Sequence, residues 1–334
     1  LSFTVVSTFS GCGGSSLGYQ SAGGRVLLAV EWDTNAVETY SLNFPDSDIY
    51  HGDIHTLTAP EVLRRTGLKR GELDILDGSP PCQGFSMVGR REFTDARNQL
   101  FREYCRLLKE LQPKVFVMEN VSGMAKGKMR LIFAEVLKEL ESCGYTVKAR
   151  LLNAMYYGVP QSRQRIIFIG VRDELHIEPS HPAGSPNLVT ASQALEGLTI
   201  DEQERAWLLE AGIRYAAFRE WHLIPPGKNR RDIGFKSGYS CSKAHPDKPA
   251  PTITKNDSYI SAHGILHWSE RRRFTVGEFK RLASFPDSFQ FVGGYQDGVA
   301  RIGNSVPPES MRRVAGHVQE GILNRRNTEA IGGE

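Results

Sequence analysis

Cys82 stands in the run Gly78-Ser79-Pro80-Pro81-Cys82-Gln83-Gly84-Phe85-Ser86, and a thiol presented in this way can serve as a nucleophile. The stretch Leu73 to Asp77 before it reads as a buried parallel strand. That puts the cysteine at the carboxyl edge of a sheet, where open α/β folds place their sites. Two prolines stiffen the approach, and Gly84, Gly89, Arg90 and Arg91 make the following stretch a mobile basic loop. A lone cysteine is more often an inert core residue, so the assignment needs companions.

The first companions lie near the N-terminus. Phe9-Ser10-Gly11-Cys12-Gly13-Gly14 falls between the first strand and a short helix, where glycines admit a ligand close to the backbone and the helix start offers amides. Such a turn fits any nucleotide-type cofactor. Glu31 at the end of strand two can accept from both hydroxyls of a ribose. Asp53, followed by Ile54 after strand three, can accept from an adenine amino group. Trp32 is placed to cover the adenine face or to pack. The turn is GxGG, not the GxGxxG of dinucleotide-binding oxidoreductases, which favours S-adenosylmethionine over NAD.

These groups need a scaffold, and residues 3 to 172 supply one. Strands are expected at 3–10, 25–31, 48–52, 73–77, 114–119, 146–152 and 165–171, alternating with helices, which predicts a mostly parallel seven-stranded sheet of Rossmann-like α/β class. Leu100, Phe101, Tyr104, Leu107, Leu108 and Leu111 form one apolar helical stripe. Met129, Ile132, Phe133, Val136, Leu137 and Leu140 form a second, and both read as core. From about residue 174 the composition turns to Pro, Gly, Ser, Lys and Arg, predicting a loop-rich module over 174–272. Residues 273–324 return to regular structure, with Ser305 as N-cap of a helix after Pro307-Pro308, and 325–334 form a polar tail.

The chain has 334 residues, enough for one large domain and a smaller one, with 40% hydrophobic and 24% charged residues. No stretch approaches the about eighteen unbroken apolar residues of a membrane span, and no signal peptide is evident, so a cytosolic location is expected. The five cysteines show neither disulfide nor zinc spacing, and no metal is expected. A net charge of +3 requires any nucleic-acid surface to be local.

With these residues in place the chain resembles the bacterial cytosine-5 DNA methyltransferases, whose hallmark is a Pro-Cys dipeptide after strand four. The resemblance implies that Cys82 adds to C6 of a flipped-out cytosine. Pro81 and the turn from Phe9 to Gly14 would then line the S-adenosylmethionine site. Glu119-Asn120-Val121 matches the family's Glu-Asn-Val motif, which makes Glu119 the carboxyl acting at N3; burial against the base would keep it partly protonated. Gln161-Ser162-Arg163-Gln164-Arg165 matches Gln-x-Arg-x-Arg. Arginines two apart on an extended chain point the same way, so Arg163 and Arg165 can reach one target together. The resemblance implies that Arg163 contacts the cytosine O2 and nearby backbone while Arg165 orders the site. Arg281 to Asp287 resembles an organising helix of the family. Asn304, Ser305 and Val306, in Gly303 to Pro308, resemble the segment that closes the methionine end of the cofactor pocket. The ordered set spans residues 3 to 324.

Between these motifs, residues 227–248 hold Lys228, Arg230, Arg231, Lys236, Lys243 and Lys248 against Asp232 and Asp247, interleaved with Phe235, Tyr239 and His245. Their position matches the family's target-recognition region, and contacts to double-stranded DNA are expected from Lys228, Arg230, Arg231, Lys236 and Lys243. The loop after Cys82 is expected to close over the base, with Ser86 on a phosphate, Arg90, Arg91 and Arg97 on DNA, and Val88 or Arg90 in the vacated stack. The products implied are 5-methylcytosine and S-adenosylhomocysteine. A monomer is expected, with a cognate restriction endonuclease as a further partner. The competing readings are methylation of tRNA, a catalytically silent DNA-binding protein, and an oxidoreductase.

Overall fold

In the computed structural model of the chain, the described residues are 2–81, 96–125, 130–215, 218–234, 241–261 and 263–325. They form two compact units. One comprises residues 1–152, 164–183 and 311–334; the other comprises 153–163 and 184–310.

The first unit is built on seven strands: β1 Phe3–Thr8, β2 Gly24–Glu31, β3 Asp48–His51, β4 Ile75–Gly78, β5 Val115–Val121, β6 Tyr145–Asn153 and β7 Gln164–Arg172. Their order is β3-β2-β1-β4-β5-β7-β6. Pairs among β1 to β5 are parallel, and β7 runs antiparallel to β5. Helices α1 Gly14–Ser21, α2 Thr34–Asn43, α3 Ala59–Thr66, α4 Ala96–Leu111 and α5 Arg130–Glu141 connect them. All seven predicted strands are present, with ends displaced by up to two residues. The long apolar runs of β1, β4 and β5 are buried, as parallel strands covered on both faces must be.

Both predicted stripes pack into the core. Tyr104, Leu107 and Leu108 of α4, Val136 and Leu140 of α5 and Phe116 of β5 share one cluster. Met129 lies outside the described residues. Edge-to-face contacts join Phe116 to Tyr104 and to Tyr145, which fixes α4 against the middle of the sheet.

The second unit is not only loops. It contains α6 Ala191–Leu195, α7 Glu202–Arg214, α8 Val276–Leu282 and α9 Tyr295–Asn304, with a short parallel pair, β8 Cys241–Lys243 and β9 Gly264–Leu266. Helix α7 was missed within the stretch read as loop-rich. Its signal was local: Asp201 accepts from the amides of Gln203 and Glu204, and Glu202 and Glu204 complement the helix start. Composition averaged over the window hid it.

Ser305 also differs from expectation. It terminates α9, and its hydroxyl donates to the Arg301 carbonyl 2.8 Å away, ahead of the helix that follows. That helix, α10 Pro308–Val318, starts at the second proline, whose missing N–H costs nothing in a first turn.

Candidate active site

In the first unit the chemistry-bearing residues lie where the strands end. The turn after β1 is shaped by positive φ at Phe9, Gly11 and Gly13. Gly13 is required twice over. Its φ is 98°, and a Cβ there would lie 2.2 Å from the Phe44 ring. Ser10 donates its amide to the Val30 carbonyl at 3.1 Å, and Cys12 is buried. Gly14 then begins α1, whose first amides have no side-chain cap.

Glu31 organises this turn. Its carboxylate accepts from the Gly11 amide at 2.7 Å, from Trp32 at 2.8 Å and from Asp33 at 3.0 Å. Trp32 is 77% exposed beside it, so it is not a packing residue. Asp53 caps the short turn Ile54–Thr56 and pairs with His55 Nδ1 at 2.7 Å, and hydrogen bonds from His55 hold its carboxyl below the usual range. Ile54 is buried beneath.

Sequence reading missed what fixes that segment. Arg106 of α4 donates to the Leu57 carbonyl at 2.7 Å while Glu103 and Glu110 hold its other nitrogens at 2.7 and 3.1 Å. The signal was present as Glu and Arg three and four apart on a helix, but nothing in the sequence pointed to Leu57.

At the next strand ends, Pro80 is buried and Pro81 exposed. Asn120 donates its side-chain amide to the Pro80 carbonyl at 3.1 Å, joining the end of β5 to the segment that leads into Cys82. Cys82 itself lies outside the described residues, as do Ser86, Val88, Arg90, Arg91, Phe235, Lys236 and Tyr239. The backbone of Arg97 falls in the first turn of α4.

Glu119 is buried near the end of β5 and pairs with Arg165 Nε at 2.7 Å; the two side chains are 10% and 20% exposed. The sheet register explains the pairing. Arg165 lies opposite Val121, so Glu119 is its diagonal neighbour on the same face, within reach of a long side chain.

Arg163 belongs to the second unit and is held by other partners. The regular strand begins only at Gln164, and the residues before it are tied to the segment 250–254 of the second unit. Arg163 is buried and donates to the carbonyls of Ile253 at 2.7 Å and Gly303 at 3.0 Å. Gln161, also buried, accepts from the Ile253 amide at 3.0 Å, and Thr252 donates to the Ser162 carbonyl at 2.6 Å. Gly303 lets α9 approach this strap: a Cβ there would lie 2.2 Å from the Thr254 carbonyl carbon. Asn304 is exposed, Ser305 half-buried and Val306 buried.

Of the basic residues expected on DNA, Lys228 and Arg231 are exposed. Arg230 pairs with Glu220 at 2.6 Å. Lys243 departs from the expectation: it is 5% exposed, its Nζ lies 3.4 Å from the centroid of Trp221, and it donates to the Trp221 carbonyl. Burial holds its ammonium below the usual lysine range, and the aromatic face replaces a counter-ion. Its place on β8 turns it inward.

A mostly parallel seven-stranded sheet with an antiparallel β7, a glycine turn after β1 and carboxylates at the ends of β2 and β5 defines an S-adenosylmethionine-dependent methyltransferase. Residues 3–320 match the model of the C-5 cytosine-specific DNA methylases, and the chain belongs to that family.

It is 34% identical over 351 residues to the Type II methyltransferase M1.HphI of Haemophilus parahaemolyticus, covering 98% of this chain and 89% of that protein. It is 33% identical over 338 residues to the Type II methyltransferase M.NgoPII of Neisseria gonorrhoeae, covering 95% of each. A candidate DNA modification methyltransferase encoded within an E. coli prophage superposes with a TM-score of 0.76 at 26% identity, over 96% of this chain and 99% of that one. The protein is a DNA cytosine-5 methyltransferase that uses S-adenosylmethionine and acts on DNA.

Proposed function

We propose that Cys82 is the nucleophile and that Glu119 and Arg165 form the polar apparatus that activates the base. The observation that carries this reading is the Glu119–Arg165 pair, set at the carboxyl end of β5 with its charges shielded but not sealed from solvent. In the proposed sequence the target cytosine leaves the stack, and the Cys82 thiolate forms a bond to C6. The electron pair displaced from the C5–C6 bond makes C5 nucleophilic, and Glu119 shares a proton with N3 as charge develops on the ring. Arg165 holds the Glu119 carboxyl in position and offers further donors to the O2 side of the base. S-adenosylmethionine supplies the methyl group taken by C5 and leaves as S-adenosylhomocysteine. Loss of the C5 proton then expels the thiolate and restores the aromatic ring.

This reading reverses the expected order of the two arginines: Arg165 acts at the base, and Arg163 positions the strap of residues 250–254. Phe9 to Gly14, Glu31, Trp32, Asp53, Ile54 and Pro81 would hold the cofactor. The fit rests on the turn's glycine requirement at Gly13, the uncapped start of α1 and the exposed face of Trp32. Residues 174–272 would read the DNA sequence, with Lys228 and Arg231 on phosphates.

The relatives' Type II designation supports a restriction endonuclease as cognate partner and a bacterial cytosolic setting. Bisulfite sequencing of DNA from a methylation-free host expressing the chain tests the proposal: 5-methylcytosine at one recurrent sequence is expected, and its loss on Cys82→Ala ties the activity to that thiol. Methylation undiminished in Cys82→Ala would remove the cysteine from the mechanism.

A further inference from the structure

Asp77, the third residue of β4, is a buried carboxylate that the mechanism above does not use. One of its oxygens accepts from Ser7 Oγ at 2.8 Å and the other from the Tyr19 hydroxyl at 3.1 Å, while its own carbonyl accepts from Thr8 Oγ1 at 2.9 Å. Ser7 and Thr8 end β1, and Tyr19 lies in α1, so Asp77 grips both sides of the turn 9–13 from below. It also precedes Cys82 by five residues through Gly78, Ser79 and two prolines. Gly78 leaves little slack, since a Cβ there would lie 2.6 Å from both Thr8 Oγ1 and the Tyr104 ring.

We propose that Asp77 is a positioning residue that, in its ionised form, locks the cofactor-side turn to the segment leading into Cys82, so that methyl transfer requires its charge. The inference rests on the assignment of turn 9–14 to the cofactor and of Cys82 to catalysis. An ionised carboxylate accepts from both hydroxyls at once. Once protonated it becomes a donor on one oxygen, and the hydroxyl on that side, Ser7 or Tyr19, must swing its own hydrogen away and accept instead, which exchanges a charge-assisted bond for a weaker neutral one and loosens that side of the turn.

Burial pushes the Asp77 carboxyl up to about 7, against the hydrogen bonds from Ser7, Tyr19 and the Gly78 amide, which favour its charge. Among the described residues the titratable groups facing it are Tyr19 on α1, Tyr40 on α2, Tyr104 on α4 and Glu119 on β5, and none of these is a cation. The switch therefore works near neutrality and depends on the two hydroxyl donors.

The test is single-turnover methyl transfer to duplex DNA by the full chain as a function of pH. The wild-type rate is expected to fall as pH drops through about 7, by about tenfold per pH unit. Tyr19→Phe and Ser7→Ala each remove a bond that favours the charged form, so each should move that limb to higher pH. Asp77→Asn should abolish the limb and leave a lower, flat rate with weaker S-adenosylmethionine binding. A limb that stays in place in both Tyr19→Phe and Ser7→Ala overturns the proposal even if Asp77→Asn fails to fold. A covalent adduct with 5-fluorocytosine DNA, measured on the same wild-type preparation, separates the two readings. If the adduct forms and the limb does not move, the Asp77 inference fails alone; if no adduct forms, the reading of Cys82 fails.

Discussion

Arg165 with Glu119 in the first unit and Arg272 with Glu278 in the second are the same chemical pair in different surroundings. Arg272 and Glu278 are 1% and 2% exposed and meet through two hydrogen bonds, at 2.6 and 2.9 Å; Glu278 also accepts from the Thr275 amide at 2.7 Å, and Arg272 binds Glu270. Arg273 nearby lies 3.9 Å from Asp257 and donates instead to the carbonyls of Ile265 and Ser261. Every guanidinium nitrogen of Arg272 already has a partner within the protein, so that pair can only specify a fold. Glu119 and Arg165 keep some access to solvent at a strand end, where a substrate can exchange for water. Accessibility and saturation, more than residue type, separate the pair proposed to act on the base from a structural one.

Substitutions should divide along that line. Removing Cys82 as Cys82→Ala is expected to have the largest effect, a loss of methyl transfer on the order of 10⁴-fold or more with cofactor affinity nearly unchanged, read by tritium transfer and calorimetry. Glu119→Gln should cost about 10²- to 10³-fold in single-turnover rate, with a melting temperature close to wild type. Arg272→Ala should do the reverse. Leaving Glu278 buried without its cation should destabilise the protein by about 3–5 kcal/mol, visible in urea unfolding, while any protein that stays folded keeps its turnover. Equal loss of stability in Glu119→Gln and Arg272→Ala would break the comparison.

Acid should find the second unit by the same route. His267 stacks on Trp268 beside Arg272, and burial holds its imidazole down at about 4. Its folded value lies below the unfolded one of about 6.5, so the unfolded chain binds more protons between them, and stability is lost as pH falls through that window. The loss is at most about 3 kcal/mol by pH 4, and His267→Gln should flatten it in pH-dependent melting. The smallest expected effect is at the DNA surface. Lys228→Ala with Arg231→Ala should weaken DNA binding and lower the salt slope by about two, without altering the sequence methylated.

The sequence carried the sheet and most of the site's residues because buried parallel strands are written as apolar runs and the motifs fall at their ends. Burial and pairing were not legible. The different partners of Arg163 and Arg165 depend on where β7 begins and on residues 250–254 and 303, up to 140 positions away. Lys243 counted as a surface charge until β8 turned it onto Trp221. Helix α7 was hidden by its polar neighbourhood. Asp77 looked like the last residue of a strand, and only the positions of Ser7 and Tyr19 gave it a role.

The most direct test of the account is covalent trapping. Wild-type protein incubated with S-adenosylmethionine and duplex DNA carrying 5-fluorocytosine should form a denaturation-resistant adduct that maps by mass spectrometry to Cys82, because the C5 fluorine cannot leave as a proton does. Glu119→Gln should form the same adduct more slowly. Methylation of ordinary DNA without any adduct at Cys82, or an adduct at another cysteine, would contradict it.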